Sequence, residues 1–295
     1  PNTDVFHDEE TNAGRVKKKL KFLGAAAAEA IPALWCECPV CRRAKELGGR
    51  ELRRRCSYLI DRDTLVDFGP DAYWQVTEFG IDLTAVDRIL FTHPHSDHLA
   101  TAELSWRRTP YFSHVEHWID VCGTRMLFGT ILGALACSGM ALNFEELRIR
   151  PVEVQPGVWA KSGDVELLPM RANHAPGKDP VFYLIRRGGR TVLIANDTGW
   201  PPEESWSCLA KEKIDLAVLE STMGPGMPVC RNGHMGADVT VAFRKRLIEL
   251  GSIRENTPVY ANHFSHNCKA NHEELVALFR PHGIEVAYDG LSVEV

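Results

Sequence analysis

The chain has 295 residues, of which 44% are hydrophobic and 25% charged, a balance typical of a globular protein with enough apolar material for a sizeable core. Its formal net charge is -5, so no general attraction draws it to polyanions, and nucleic acid is not expected among its partners. Glycine and serine interrupt the apolar stretch at residues 126–142, which excludes the continuous hydrophobicity of a membrane span.

Residues 1–18 are polar and show no periodicity, which predicts a flexible N-terminal tail. No secretory signal is visible, because acidic residues precede the lysines at positions 17–19, and this indicates a cytoplasmic location. Residues 19–295 are expected to form a single domain. The sequence does not determine the oligomeric state of the protein, and a homodimer is one option.

Short runs with β-strand character recur along the chain and predict strands. They lie at residues 20–23, 57–60, 64–67, 88–92, 165–169, 181–186, 191–195, 216–220, 258–261 and 284–287. Apolar residues at helical spacing predict helices at 237–250 and 272–279. This succession indicates an α/β or α+β fold in which helices cover sheets. The segment at about 100–150 consists mostly of residues typical of helices, and we interpret it as an insertion that shapes the substrate entrance.

A dense cluster of metal-ligating side chains follows one of the predicted strands. His93, His95, Asp97 and His98 fall within six residues. Adjacent residues of a strand point to opposite faces, so these side chains can converge only if the chain leaves the strand here. Imidazole and carboxylate ligands suit zinc, manganese, iron or nickel, and four such groups exceed what one open catalytic ion needs. The cluster therefore predicts two metal ions, with a solvated histidine-rich loop as the alternative.

The H-x-H-x-D-H spacing of this cluster resembles the hallmark of the metallo-β-lactamase superfamily. The resemblance implies a fold of the α/β (α+β) class, built as a four-layer αββα sandwich. It also implies two divalent catalytic ions, zinc or manganese with iron as a further option.

Three later motifs match the remaining ligands of that superfamily in the expected order, each after a predicted strand. Asn-His-Ala-Pro-Gly supplies His174, which would join the first two histidines of the cluster on one ion. Asn-Asp-Thr-Gly supplies Asp197 as the bridge between the ions, and Ala-Asn-His-Phe supplies His263 for the second ion, beside Asp97 and the last histidine. Asp97 is expected to act as both a ligand and a catalytic residue. Asp67 fits the early aspartate that supports the histidine loop, with a turn-forming aspartate as the alternative.

A second metal site is predicted near the first strand, where Cys36, Cys38 and Cys41 place three thiols within six residues. In a chain with nine cysteines this density favours tetrahedral structural zinc over a disulfide. The fourth ligand is predicted to be His266, with Cys268 as the second choice. The C-x-C-x-x-C loop is similar to that of two branches of the superfamily, the phosphoribosyl cyclic phosphate phosphodiesterases and the pyrroloquinoline quinone biosynthesis protein B group.

A further histidine, His234, precedes the helix predicted at 237–250. It matches the extra histidine that phosphodiesterase branches of the superfamily use, and the resemblance makes it the general acid that protonates the leaving oxygen. A helix-capping or surface role is the alternative.

Together these features predict a dinuclear metal-dependent hydrolase. Its expected reaction is the cleavage of a small phosphodiester, which could be cyclic, by a hydroxide held between the two ions. The alternatives are a nuclease of the RNase Z type that processes tRNA, to which His263-Phe264-Ser265 is similar, a lactone or thioester hydrolase, and a non-hydrolytic accessory protein of quinone-cofactor biosynthesis.

Overall fold

The structure is a computed structural model, and it describes residues 18–139 and 143–295. The predicted N-terminal tail lies outside the described residues except for Lys18. The strands, in chain order, are β1 (Lys19–Gly24), β2 (Ser57–Ile60), β3 (Thr64–Val66), β4 (Arg88–Leu90), β5 (Ile119–Gly123), β6 (Ile149–Glu153), β7 (Ala160–Ser162), β8 (Val165–Arg171), β9 (Val181–Arg187), β10 (Arg190–Ala195), β11 (Leu216–Glu220), β12 (Val259–Asn262), β13 (Glu285–Val286) and β14 (Ser292–Glu294). The helices are α1 (Pro39–Leu47), α2 (Ala72–Phe79), α3 (Thr101–Ser105), α4 (Arg125–Cys137), α5 (Glu203–Leu209), α6 (Ala237–Glu249) and α7 (His272–Phe279).

The strands form two seven-stranded sheets. The first has the order β14-β1-β2-β3-β4-β5-β6, and the second has the order β13-β12-β11-β10-β9-β8-β7. Strands β3 to β6 run parallel to one another, as do β10 to β13, while the remaining pairings are antiparallel. Parallel strands end at the same edge of a sheet, so the loops that follow them meet there.

Three apolar cores lie on either side of these sheets and between them. The central core joins both sheets through buried residues such as Phe22, Leu90 and Tyr183. A second core packs α2, α3 and α4 against the outer face of the first sheet, and a third packs α5, α6 and α7 against the outer face of the second. This helix-sheet-sheet-helix arrangement confirms the predicted four-layer α/β sandwich.

The segment at 100–150 was predicted to be a mainly helical insertion, and its observed structure is different. It contains α3 and α4, but also β5, which lies inside the first sheet between β4 and β6. An inserted unit would not supply an interior strand, so this interpretation needs correction. Ile119 and Val121 are both buried and flank the half-buried Asp120, a short strand signal that the helical character of the neighbouring segments obscured.

Within residues 18–139 and 143–295, none of the helices combines the length and the apolar character needed to cross a lipid bilayer.

Candidate metal centre

The predicted catalytic ligands all follow strands. His93 and His95 come after β4, His174 after β8, Asp197 after β10 and His263 after β12. Two of these residues have backbones in the left-handed region, with φ of 46° for Asp197 and 60° for His263. Few residues other than glycine adopt such angles, and strained positions of this kind cluster at functional sites. The sharp turn lets each ligand face the shared edge of the sheets as soon as its strand ends.

Three imidazoles converge on one point. The Nε2 atom of His93 lies 2.8 Å from Nδ1 of His95, which lies 3.3 Å from Nε2 of His174. The other ring nitrogens of His93 and His174 are held by the Thr92 hydroxyl at 3.0 Å and the Gly233 carbonyl at 2.9 Å. Burial lowers the pKa of both His93 and His174, so both favour the neutral form that binds metals. The trio fits one divalent cation.

A second group forms around Asp197. Its Oδ2 atom lies 3.0 Å from Nε2 of His98 and 3.0 Å from Nε2 of His263, and Nε2 of His98 lies 3.0 Å from Oδ2 of Asp97. Apart from these contacts with one another and with Asp97, Oδ2 of Asp197 and the two Nε2 atoms are buried with no hydrogen-bond partner among the described residues. Buried polar atoms are rarely unpaired in folded proteins, and a shared cation would satisfy all three. The donor set therefore fits a second divalent ion.

Asp197 also lies between the two groups, because its Oδ1 atom is 3.8 Å from Nε2 of His174. This position suits a carboxylate shared by two ions. Burial acts to raise the pKa of Asp197, but His263 and His98 outweigh it and hold that pKa well below its usual value. The carboxylate is therefore ionised, as a ligand must be.

Asp67 is fully buried and supports the histidine loop. Its carboxylate accepts a hydrogen bond from the Thr92 amide at 2.8 Å and lies 2.7 Å from Nδ1 of His98. The backbone at Gly69 lies very close to the backbone of Asp97, since a Cβ atom on Gly69 would be 2.0 Å from the Asp97 carbonyl oxygen. Only glycine fits there. The structure thus places Asp67 behind the predicted ligand His98, where it orients the ring.

His234 lies at the edge of the same centre, and a carboxylate that the sequence did not single out holds it. Nδ1 of His234 is 2.9 Å from Oε1 of Glu220 and 4.0 Å from Oδ1 of Asp197. Burial acts to lower the pKa of His234, but Glu220 more than offsets it and the pKa rises to about 9. Although Nδ1 is close enough to His174 and Asp197 to share a cation, its bond to Glu220 competes with that role.

Glu220 also reaches the second metal group. It is fully buried at the end of β11 and accepts hydrogen bonds from the Thr222 amide at 3.0 Å and the Met235 amide at 3.1 Å. The Thr222 hydroxyl, itself bonded to Glu220, lies 2.8 Å from Nδ1 of His263. One carboxylate therefore orients both the predicted ligand His263 and His234. Its sequence signal is an acidic residue at the end of the apolar run Leu-Ala-Val-Leu-Glu.

The cysteine loop lies apart from these groups and is completed by a histidine. Nδ1 of His266 lies 3.3 Å from Sγ of Cys36 and 3.5 Å from Sγ of Cys38, and Cys41 belongs to the same cluster. Burial acts to raise the pKa of the Cys38 thiol, but hydrogen bonds from the Cys41 amide and His266 lower it to about 6. Cys268 is outside this cluster, and its thiol faces the Ala270 carbonyl at 3.5 Å. The four-ligand set with His266 suits tetrahedral zinc.

A family model described as a beta-lactamase superfamily domain matches residues 62–252. The chain belongs to this superfamily. Together with the four-layer sandwich, the match makes it a metallo-β-lactamase-fold protein, in a superfamily composed mostly of hydrolases whose fold implies divalent metals. No curated protein matches the sequence.

Solved structures share the fold over nearly the whole chain. A diphosphatase of the PhnP family is 21% identical, with a TM-score of 0.72 and coverage of 95% of this chain and 98% of that one. Zinc-bound PqqB from Methylobacterium extorquens is 15% identical, with a TM-score of 0.70 and coverage of 94% and 100%. The short form of human tRNase Z is 14% identical, with a TM-score of 0.61 and coverage of 93% and 98%. At these identities the likeness shows the fold alone.

A buried network behind this metallo-β-lactamase-fold centre connects the two sheets. The Tyr58 hydroxyl, on β2, donates to Oδ1 of Asn196 at 2.7 Å and accepts from Nδ2 of Asn262 at 2.8 Å. Each asparagine directly precedes a predicted ligand, Asp197 or His263, at the end of its strand. Tyr58 therefore fixes the approach of β10 and β12 to the first sheet.

Removing that hydroxyl in Tyr58→Phe is expected to destabilise the fold by about 1–3 kcal/mol, because it leaves the buried Oδ1 atom of Asn196 without a donor. Urea unfolding measures this change. Tyr73→Phe, which alters an exposed ring, is the matched control and should leave stability unchanged. If the two variants unfolded at the same urea concentration, the network would contribute nothing to stability.

Proposed function

We propose that this chain is a dinuclear metal-dependent phosphodiesterase that acts on small phosphodiesters. The observation that carries the proposal is His234, which Glu220 holds at the edge of the metal centre. Two divalent ions, when bound, activate water and stabilise negative charge on a phosphoryl group, but they supply no proton to the leaving oxygen. A hydrolase of poor leaving groups needs a separate acid for that step, and the contact with Glu220 supports His234 in this role.

The proposed first ion is zinc or manganese held by His93, His95 and His174, and the second is held by Asp97, His98 and His263, with Asp197 shared. Asp97, whose carboxylate lies 3.0 Å from Nε2 of His98, is proposed to contribute to catalysis as well as to binding. A separate zinc at the cysteine loop is proposed to be structural.

The proton movement follows from the contacts of His234. Its Nδ1–H donates to Glu220 at 2.9 Å, which fixes the ring and leaves Nε2 as the nitrogen that gives up a proton. Within the described part of the chain, Nε2 makes no hydrogen bond that would compete. After donation the neutral ring keeps its Nδ1 proton and its bond to Glu220. The acid therefore stays in position through the step.

Charge favours a small substrate over RNA. The net charge of -5 provides no attraction for a long polyanion, so recognition depends on the metal centre and on nearby groups. A compact phosphodiester needs only these local contacts. All nine cysteines are free thiols, which supports the further proposal of a reducing, cytoplasmic location.

The test is His234→Ala, assayed on an alkyl phosphodiester and on bis(p-nitrophenyl) phosphate. The alkyl substrate has a poor leaving group, so its kcat/KM should fall by about a hundred- to ten-thousand-fold. The nitrophenyl ester needs little protonation and should lose far less. Metal content should remain that of the wild type, since Asp197 and the other ligands are untouched.

His282→Ala, in an exposed position beyond α7, is the matched control and should behave as the wild type. Equal losses on both substrates with metals retained would assign His234 to phosphate positioning. A wild-type protein that hydrolysed lactones or β-lactams but no phosphodiester would contradict the proposed substrate class.

A further inference from the structure

Asn173, the residue before His174, joins three segments of the candidate site. Its backbone amide donates to the Thr198 hydroxyl at 3.0 Å, and its carbonyl accepts from the Gly199 amide at 2.9 Å. Its side-chain nitrogen donates to the Trp200 carbonyl at 3.0 Å and to the Arg231 carbonyl at 3.2 Å. The backbone contacts would survive substitution, whereas the last two depend on the asparagine side chain.

The Arg231 carbonyl is a tight attachment point, three residues before His234. It accepts a second hydrogen bond, at 2.7 Å, from the Trp200 amide. A Cβ atom on Gly199 would lie 2.1 Å from the same oxygen, so the segment packs directly against the backbone that follows Asp197. The Arg231 guanidinium also covers the Trp200 ring at 4.4 Å. Movement of this carbonyl would therefore be passed along the short segment to His234.

The same segment touches the first metal group. Gly233 lies next to His234, and its carbonyl is 2.9 Å from Nδ1 of His174. Asn173 adjoins His174 in sequence and holds Arg231 by its side chain. The loop that carries Asn173 and His174 is thus joined to the segment before His234 by two contacts, one from Asn173 to Arg231 and one from His174 to Gly233. This double attachment fixes the distance between a proposed ligand and the proposed acid.

We propose that Asn173 is a positioning residue that sets His234 against the metal centre through its side-chain amide. The proposal rests on the acid role proposed above for His234. The residue type is specific, because one NH₂ group offers two N–H donors to two carbonyls. Aspartate has the same shape but only acceptors, so it would place a carboxylate against both carbonyl oxygens. Alanine would remove the contacts without adding repulsion.

The experiment compares Asn173→Asp and Asn173→Ala with wild type in the metal-loaded protein. Hydrogen exchange of the amides in residues 230–236, followed by mass spectrometry, should become faster, most strongly in Asn173→Asp. For the alkyl phosphodiester, kcat/KM should fall roughly ten- to a hundredfold more than for the nitrophenyl ester, since misplacement by about 1 Å can cost a hundredfold. Metal content should be unchanged, because all ligand side chains remain.

Asn232→Ala is the matched control, since Asn232 is an exposed asparagine of the same segment whose side chain makes no hydrogen bond in the described structure. It should match wild type in exchange and in substrate preference. Unchanged exchange at 230–236 in both Asn173 variants would overturn the proposal, as would equal losses on the two substrates. Failure of the proposed function is distinguishable, because wild type would then cleave no phosphodiester while the exchange measurement still decides whether Asn173 holds the segment.

Discussion

Replacing Asp197 with asparagine or alanine is expected to abolish turnover, with a loss of roughly a thousandfold or more in kcat. Its carboxylate lies 3.0 Å from Nε2 of His98 and of His263, and 3.8 Å from Nε2 of His174. No other carboxylate in the described chain reaches both metal groups. Without it, neither the separation of the two proposed ions nor their combined charge would be set, and both would determine how strongly water is activated.

Two variants separate chemistry from backbone strain at this position. Asp197 has φ of 46°, which asparagine tolerates far better than alanine does. Asp197→Asn should therefore keep the melting temperature near that of wild type while it loses activity, whereas Asp197→Ala should lose both. Kinetic assays, metal analysis and thermal unfolding measure these effects. Asp238→Asn, at an exposed position in α6, is the control.

Activity near wild type in Asp197→Asn with a single ion bound would refute the dinuclear interpretation. The metal count per chain is the critical measurement, because a mononuclear enzyme could keep its first ion on the histidine trio alone. Loss of one ion together with loss of turnover is the expected outcome.

The ligand set could be predicted from sequence because each motif directly follows a strand. His93 follows β4 of the first sheet, whereas His174, Asp197 and His263 follow β8, β10 and β12 of the second sheet. These three strands of the second sheet run in the same direction and therefore end at the same edge. Short ligand motifs then mark the places where the chain leaves the sheet. Glu220 could not be found in this way, since no ligand motif follows the apolar strand that it ends, and it meets His234, 14 positions further along the chain, only after the loop between them folds back.

Contacts between residues far apart in the sequence were equally hidden from a single sequence. Tyr58 meets Asn196 across a separation of 138 residues, and Asn173 meets Arg231 across 58. Neither pair has a spacing that a local pattern could show. The order of strands in the sheets determines both encounters. Local sequence therefore predicts which side chains carry the chemistry, whereas the residues that orient them become visible only in the tertiary structure.

Loss of the cysteine cluster is expected to have the largest effect on stability. The hydrogen bonds between Ala25, Ala27 and Phe264 tie the segment before the cysteines to the one that carries His263 and His266. Zinc bound by Cys36, Cys38, Cys41 and His266 would lock these two segments together. Structural zinc contributes its binding free energy to folding, and ligand removal forfeits it.

Cys38→Ser should therefore lose one zinc per chain and lower Tm by roughly 10 °C, given about 2–4 °C per kcal/mol in domains somewhat smaller than this one. Activity of the folded fraction should fall less, because none of the catalytic ligands is changed. Some loss of activity is still expected, since His266 lies three residues from the proposed ligand His263, and a looser segment would weaken the second metal group first. Cys137→Ser, at an exposed thiol at the end of α4, is the matched control for losing a cysteine.

Metal analysis, thermal unfolding and kcat/KM at saturating metal measure the three effects. Full zinc content and an unchanged Tm in Cys38→Ser would show that the thiols hold no structural ion, and the hydrogen bonds alone would then account for the join between the two segments.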